Sequence, residues 1–588
     1  LRTQETGLGI LVYSLISLFL WPSSSRSDFN TAAGKLASTQ HQLYQAYLGQ
    51  MKNKNSGGET QTLRTQMVKE QTRFNQFLDA AEIDTYEVWE RRQQWRQYQR
   101  QSADFTETME GWYENFSELK LLDLQSLLPN LTTFGAELDE RFTQIERMLA
   151  GQAPEHQPTT IDLALDEARV RSLSNFHRAA LTVTRTRMIH LEALTQSLFD
   201  AACDFRDLGR IVDIPAAPRP QTGFVLDPDR LISVVRVMTT LWLAYLALIY
   251  VPDLPGGAGF VSMGGPFAMV LATNPQLPVA KLITPVTVGV LFGSVIYIFI
   301  MPQLASFIGL GLLIFSATFV ICYLYAAPRR MLSRLFGLAM FISLTAISNE
   351  QTYSFLSVAT TALMFVLLFL LLAITSNIPF SARPELAFLR LLGRYFRSCE
   401  YLMLTMHRDP HRKKTCLERW KKTFYTYELS SLPAKLEGWA RFINSKFLPG
   451  TSPQQVQTVL TSLQALCYRM NELLAEHSSS QAPFLVQEFQ SDVRTWRVKV
   501  QEIFQRLTEE PDAEKKETLR AGLAQIIDHL EQRIEETLDK APENQLSARD
   551  AENFYRLLGA YRGVSEALVE YAGSSEAISW TGWREERF

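Results

Sequence analysis

No phosphate-binding loop occurs in the chain. Its one Gly-Lys pair, Gly34-Lys35, lacks the surrounding glycine pattern that cradles phosphates, so the sequence offers no machinery for hydrolysing ATP. Cysteine is scarce: five in 588 residues (Cys203, Cys322, Cys399, Cys416 and Cys467), an odd, scattered set with no C-x-x-C spacing. That set excludes a disulfide framework or a thiolate zinc site and fits reduced thiols facing a cytoplasm. "HRDPHRKK" holds two histidines, but Pro410 breaks the helix that would align His407 with His411, and the flanking Arg and Lys repel a cation. A solvated basic turn is expected there, not a metal site. No Ser/His/Asp or Cys/His arrangement stands out, so neither enzymatic chemistry nor a cofactor is expected. A net charge of −3 gives no basis for a nucleic-acid partner. No β-rich stretch is present either.

What is present is a sharp segregation of polarity: polar sequence, an apolar block from Leu231 to Thr375, then polar sequence again. Crossing about 30 Å of hydrocarbon takes roughly 20 mainly apolar residues. Leu231–Val251, Leu282–Met301, Leu304–Ala326 and Tyr353–Thr375 qualify easily, and Met331–Ser348 is slightly short. The weakest is Phe260–Thr273, "FVSMGGPFAMVLAT", interrupted by Gly264, Gly265 and Pro266.

Counting it gives six spans, and charge supports the count. One side then receives Arg230, Lys281, Arg329, Arg330, Arg334 and Arg383; the other receives "PDLPGGAG", "MPQ" and "SNEQT", which hold no Lys or Arg. Basic residues stay on the cytoplasmic side during insertion, so the first set is inside. The opening apolar run, Leu8–Trp21, precedes polar sequence on that same side. A cleaved signal peptide would deliver Ser23 to the opposite compartment. The run therefore reads as an outside-to-inside span, the last of a first membrane block that is expected to precede Leu1.

Both polar parts read as long amphipathic helices. "DIPAAPRPQTG" (213–223) is a proline-rich linker. In the tail, Ser452 is an N-cap with Pro453 in the first turn, followed by the stripe Val456, Leu460, Leu463, Cys467, Met470 and Leu474. A second stripe is Leu519, Leu523, Ile526, Leu530 and Ile534. The expected fold is all-α: a polytopic helical membrane protein with two cytoplasmic helical-bundle domains. Its divisions are a span in 1–22, a helical domain in 23–229, six spans in 230–376 and a second helical domain in 377–588.

Ionisable groups within spans are costly and so point to function. Arg236 lies about a turn and a half inside the first central span, either snorkelling to the inner surface or attracting an anionic cargo. Arg2 and Glu5, three residues apart, share a helix face and can pair. Asp and Glu are absent from the interiors of the central spans, which disfavours a carboxylate relay there. "GGPFAMVLATNPQLP" would free backbone groups at membrane depth, as along a transport path, or serve packing alone.

The arrangement resembles the fusaric acid resistance family. The stretches that carry the likeness are "RTQETGLGILVYSLISLFLWP", "DPDRLISVVRVMTTLWLAYLALIYV", "ATNPQLP" and "NFYRLLGAYRGVSEALVEYAGSSEAISWTGWREERF". The family's Arg-x-x-Glu-x-x-x-Gly pattern falls on Arg2, Glu5 and Gly9, and its Asn-Pro turn on Asn274 and Pro275. The resemblance implies an inner-membrane exporter of aromatic carboxylic acids or similar toxic organic anions, driven by the proton gradient. In that reading Arg236, Asn274 and Pro275 contact the substrate, while Arg2 and Glu5 couple protons. A periplasmic adaptor protein and an outer-membrane channel are implied partners, and the oligomeric state, including a homo-oligomer, is left open. The competing readings are a passive organic-anion channel and a membrane-anchored helical scaffold.

Overall fold

The computed structural model describes the chain apart from residues 1, 17–25, 53–56, 115–123, 172, 174, 206–226, 277–278, 328–329, 346, 348–352, 382, 407–414, 444–447, 449–450, 479–488, 541–547 and 585–588. The proline-rich linker and "HRDPHRKK" thus lie outside the described residues, as does Arg329. The fold is all-α: 85% of it is helical, with no strand among the described residues. All five cysteines are free thiols.

The helices fall into two compact units that interleave along the chain. The first comprises Leu1–Pro220, Thr461–Lys499 and Glu517–Tyr571; the second comprises Gln221–Leu460, Val500–Lys516 and Ala572–Phe588.

The first unit opens with α1 (Arg2–Leu15), α2 (Arg26–Lys52), α3 (Gly57–Asp84), the short α4 (Tyr86–Glu90) and α5 (Arg92–Glu114). It continues with α6 (Leu124–Leu127), α7 (Leu131–Leu149), α8 (Glu167–Arg171) and α9 (Asn175–Phe205). α2 packs on α3 and α7, and α9 packs on α5 and α7. Their shared core is aromatic: Phe29, Phe74, Tyr98, Phe105, Trp112 and Phe142 are all buried. Each such side chain stabilises the unit by about 1.5–3 kcal/mol relative to exposure. Two polar fastenings cross this core. Buried Arg141 donates to Glu192 Oε1 at 2.7 Å and to the Glu192 carbonyl at 3.1 Å. His41, stacked on Phe142, lies between Asp139 (2.8 Å) and Glu146 (3.0 Å).

The second unit carries α10 (Pro228–Tyr250), α11 (Ala258–Thr273), α12 (Ala280–Val295, continued by a π turn over Ile296–Ile300), α13 (Phe307–Leu324), α14 (Met331–Thr345) and α15 (Phe355–Thr375). Among the described residues, four helical stretches are long and apolar enough to cross a membrane: Pro228–Tyr250, Ala280–Gln303, Phe307–Leu324 and Phe355–Thr375; Ala258–Thr273 and Ser333–Thr345 are shorter apolar helices. These correspond to the strong and weak runs of the sequence. α12 and α14 approach closely at glycine: a Cβ on Gly289 would meet Met340 Cβ at 3.0 Å, and one on Gly293 would meet Leu344 Cβ at 3.3 Å. Small residues are what permit such contact between helices in lipid.

The sequence suggests an interruption at Gly264-Gly265-Pro266, and the structure moves it. α11 runs unbroken through Pro266, and the helix ends at Asn274 instead. Gly265 has no Cβ to clash with the proline ring, which lets the preceding residue stay helical. Gly264 and Gly265 also admit neighbours: Cβ atoms there would lie 3.5 Å from Leu368 and 3.2 Å from Leu241.

After the spans come α16 (Pro384–Thr405) and α17 (Cys416–Ala440), packed on each other. Pro384 occupies the first turn of α16, and Thr415 and Glu418 form a reciprocal capping box on α17. α18 (Pro453–Ser478), α19 (Gln490–Glu509), α20 (Lys516–Lys540), α21 (Ala548–Glu576) and α22 (Thr581–Arg584) complete the chain. Ser452 caps α18 as its sequence indicates: its hydroxyl accepts from Gln455 N at 3.2 Å, and Gln455 Oε1 accepts from Ser452 N at 2.6 Å.

Candidate functional site

The start of α10 is built to hold charge. Asp227 caps the helix, accepting from Asp229 N at 3.0 Å, and Pro228 fits the first turn. Both carboxylates are engaged from the polar helices. Lys435 of α17 donates to Asp227 Oδ1 at 2.8 Å and to Asp229 Oδ2 at 2.7 Å. Arg394 of α16 donates to the other oxygen of Asp229 at 2.7 Å and also pairs with buried Glu428. Burial opposes the charges on Lys435 and Arg394, yet their carboxylate partners outweigh it and raise both pKa values. The network ties the first central span to the helix pair that follows the last one.

Two turns further along α10, Arg236 turns toward the chain leaving α15. Its Nε donates to the Ile378 carbonyl at 3.1 Å and its Nη2 to the Phe380 carbonyl at 2.8 Å. Nη1 makes no hydrogen bond among the described residues. One helical turn on, Thr240 and Thr375 share a buried hydrogen bond of 2.9 Å between α10 and α15.

Beside Arg236 opens a cavity of about 580 Å³, within the range of small-molecule sites. Its polar lining includes Arg230, Ser233, Arg236, Arg390 and Asp229, and its apolar lining includes Ile232, Val237, Met238, Met269 and Trp439. Behind Arg236 and Pro275 a second cavity of about 20 Å³ offers roughly one water's space.

Charge in the large cavity is unbalanced. Among the described lining residues the single carboxylate, Asp229, is already committed to Lys435 and Arg394, while three arginines line the space. Arg390, on α16, is the telling one. It lies over the Phe380 ring, 4.8 Å from the centroid, and its buried Nε has no hydrogen-bond partner among the described residues. Burial pushes its pKa down; Asp229 opposes that shift, and the Arg236 and Arg394 charges add to it. An anion would relieve that strain and complete the hydrogen bonding.

The structure brings Arg236 and Pro275 to this cavity but not Asn274. Asn274 ends α11 with an exposed amide that donates to the Val270 carbonyl at 3.2 Å and to Thr273 at 3.1 Å. Arg2 and Glu5 both lie on α1, and their side chains are outside the described residues. Sequence reasoning missed Arg390 and Trp439 because it sought charge only within spans. A signal existed: Arg390, Arg394 and Arg397 recur at helical spacing on α16, immediately after the last span.

Comparison with known proteins identifies the family. A model of the fusaric acid resistance protein family matches residues 1–421, well over half of the chain. No curated protein matches it. The chain belongs to the fusaric acid resistance family and is a membrane-integral protein of a transport family.

Proposed function

We propose that this family member exports aromatic carboxylic acids or similar organic anions from the cytoplasm, using the proton gradient. The observation that carries the reading is the arginine-lined cavity. Its excess of arginine over carboxylate among the described lining residues suits a carboxylate, and its Met, Val, Ile and Trp lining suits an aromatic body. Arg390 and Arg236 hold the carboxylate in this reading, and Pro275 shapes the wall, with Asn274 fixing the turn that places it. The basic residues at one set of span ends support an orientation in which the helical domains are cytoplasmic and the membrane is the inner one. A periplasmic adaptor and an outer-membrane channel then carry the cargo onward. Arg2 and Glu5 are the proton-responsive pair in this scheme.

The test is efflux of a labelled aromatic carboxylate from cells expressing the protein. Arg390→Gln should abolish it at unchanged expression, and Arg390→Lys should retain part of it. Full efflux by the Gln variant would remove the cavity from the transport path.

The absence of Asp and Glu from the interiors of the central spans favours a second reading, a passive anion channel. Flux that persists after collapse of the proton gradient would establish that reading.

A further inference from the structure

We infer that the α4 tip is a membrane-surface anchor, in which Tyr86 and Trp89 enter the lipid headgroup layer beside the first span. The placement of the surface comes from α1. Leu8, Ile10, Leu11, Val12, Leu15 and Ile16 are all exposed, so this helix presents apolar side chains that the described chain does not cover. In this inference α1 lies in lipid, which would cover those side chains. With α1 in lipid, the sequence alone bounds the surface: the apolar run ends at Trp21, five residues before Arg26, a reach of at most about 18 Å.

The tip is fastened to that same point. Both guanidinium ends of Arg26 reach the two oxygens of Glu87 at 2.9 Å. Three residues on, Phe29 packs edge-on against Trp95 at the start of α5, centroids 4.6 Å apart. Val88 is buried and holds the inner side of α4 against the unit. These contacts hold α4 beside the start of α2, which in this inference is where the chain leaves the bilayer.

Its outer side has the chemistry of that level. Tyr86 is 70% exposed and Trp89 49% exposed, their rings stacked at 6.0 Å. Arg92 lies over the Trp89 ring at 4.6 Å and donates to the Trp89 carbonyl at 2.9 Å. Amphipathic aromatic rings backed by a cation are the groups that concentrate at membrane–water interfaces, where the ring is partly desolvated and the charge meets phosphate.

Neither the cargo nor its driving force bears on this anchor, and its test does not measure transport. An environment-sensitive fluorophore is attached at Trp89→Cys in a Cys416→Ser chain reconstituted in vesicles of phosphatidylethanolamine and phosphatidylglycerol. The same probe on native, exposed Cys416 of the wild-type chain is the reference. Emission at position 89 should shift to the blue and be quenched severalfold more strongly by headgroup-nitroxide lipids than at Cys416. Tyr86→Cys, labelled in the same way, should behave alike, which guards against a local disturbance at Trp89. Equal quenching at 86, 89 and 416 would overturn the anchor. A blue shift without lipid quenching would overturn it too, assigning the aromatic pair to a protein partner instead.

Discussion

Arg236 donates to the Phe380 carbonyl at 2.8 Å, and the ring of the same phenylalanine carries the Arg390 guanidinium at 4.8 Å. One residue past the last span thus holds two cations from different helices beside one cavity. The arrangement gives the two arginines different duties. Arg236 already spends two donors on backbone carbonyls, whereas Arg390 keeps a buried donor unpartnered among the described residues.

That difference is separable by substitution. Arg236→Gln should lower both thermal stability and transport, because two carbonyls lose their donors, at about 1 kcal/mol for each hydrogen bond. Arg390→Gln should lower transport with little loss of stability. Thermal unfolding run in parallel with efflux distinguishes them; equal stability losses would mean that Arg390 is a structural residue.

Lys435 bridges Asp227 and Asp229, with its side chain only 23% exposed. Lys435→Met leaves two partly buried carboxylates short of a partner. The expected cost is on the order of 2 kcal/mol, between the values for surface and buried pairs. Chemical denaturation of the detergent-solubilised protein measures it, and an unchanged midpoint would show the network to be incidental.

His41 makes the first unit sensitive to pH. Burial of the ring opposes protonation, but bonds to Glu146 and Asp139 outweigh it and raise the pKa above 6.5. A raised folded-state value means the stabilisation is fully present below about pH 6.5 and is lost as pH rises through the folded value. The melting temperature of the wild type should therefore fall relative to His41→Gln as pH rises above about 6.5. Parallel curves for the two chains would contradict the charged pairing.

Gly289→Val should separate α12 from α14, since the added Cβ meets Met340 Cβ at 3.0 Å and the Gly337 carbonyl at 3.3 Å. Gly311→Val is the control, because a Cβ at Gly311 would meet nothing within 4 Å. Overpacking of this kind costs about 1–3 kcal/mol. Loss of folded yield for the first variant alone is the expected outcome; equal yields would show that the helix pair adjusts freely.

Much of this was legible in the chain itself. Length and hydropathy located the apolar helices, since crossing lipid leaves little freedom of composition. Ser452 and its proline marked a helix start through purely local chemistry. Periodicity alone was less exact: the α20 stripe buries Leu519, Leu523, Ile527 and Leu530, with Ile526 only half-buried. The site was half legible. Arg236 drew notice because charge in a span is costly, but Arg390 looks ordinary in a polar helix until folding sets it beside Phe380. Nor does any local signal bring residues 461–499 and 517–571 into the first unit, or set His41 between Asp139 and Glu146. Those are long-range pairings that no short window contains.

Equilibrium binding of a labelled aromatic carboxylate to the purified protein, wild type against Arg390→Gln, decides whether this cavity is the anion site. Loss of a charge-assisted hydrogen bond of about 1.5–3 kcal/mol should weaken binding by roughly 10- to 100-fold, with no change in the melting temperature of the unliganded protein. Equal affinity in the two proteins would contradict the assignment.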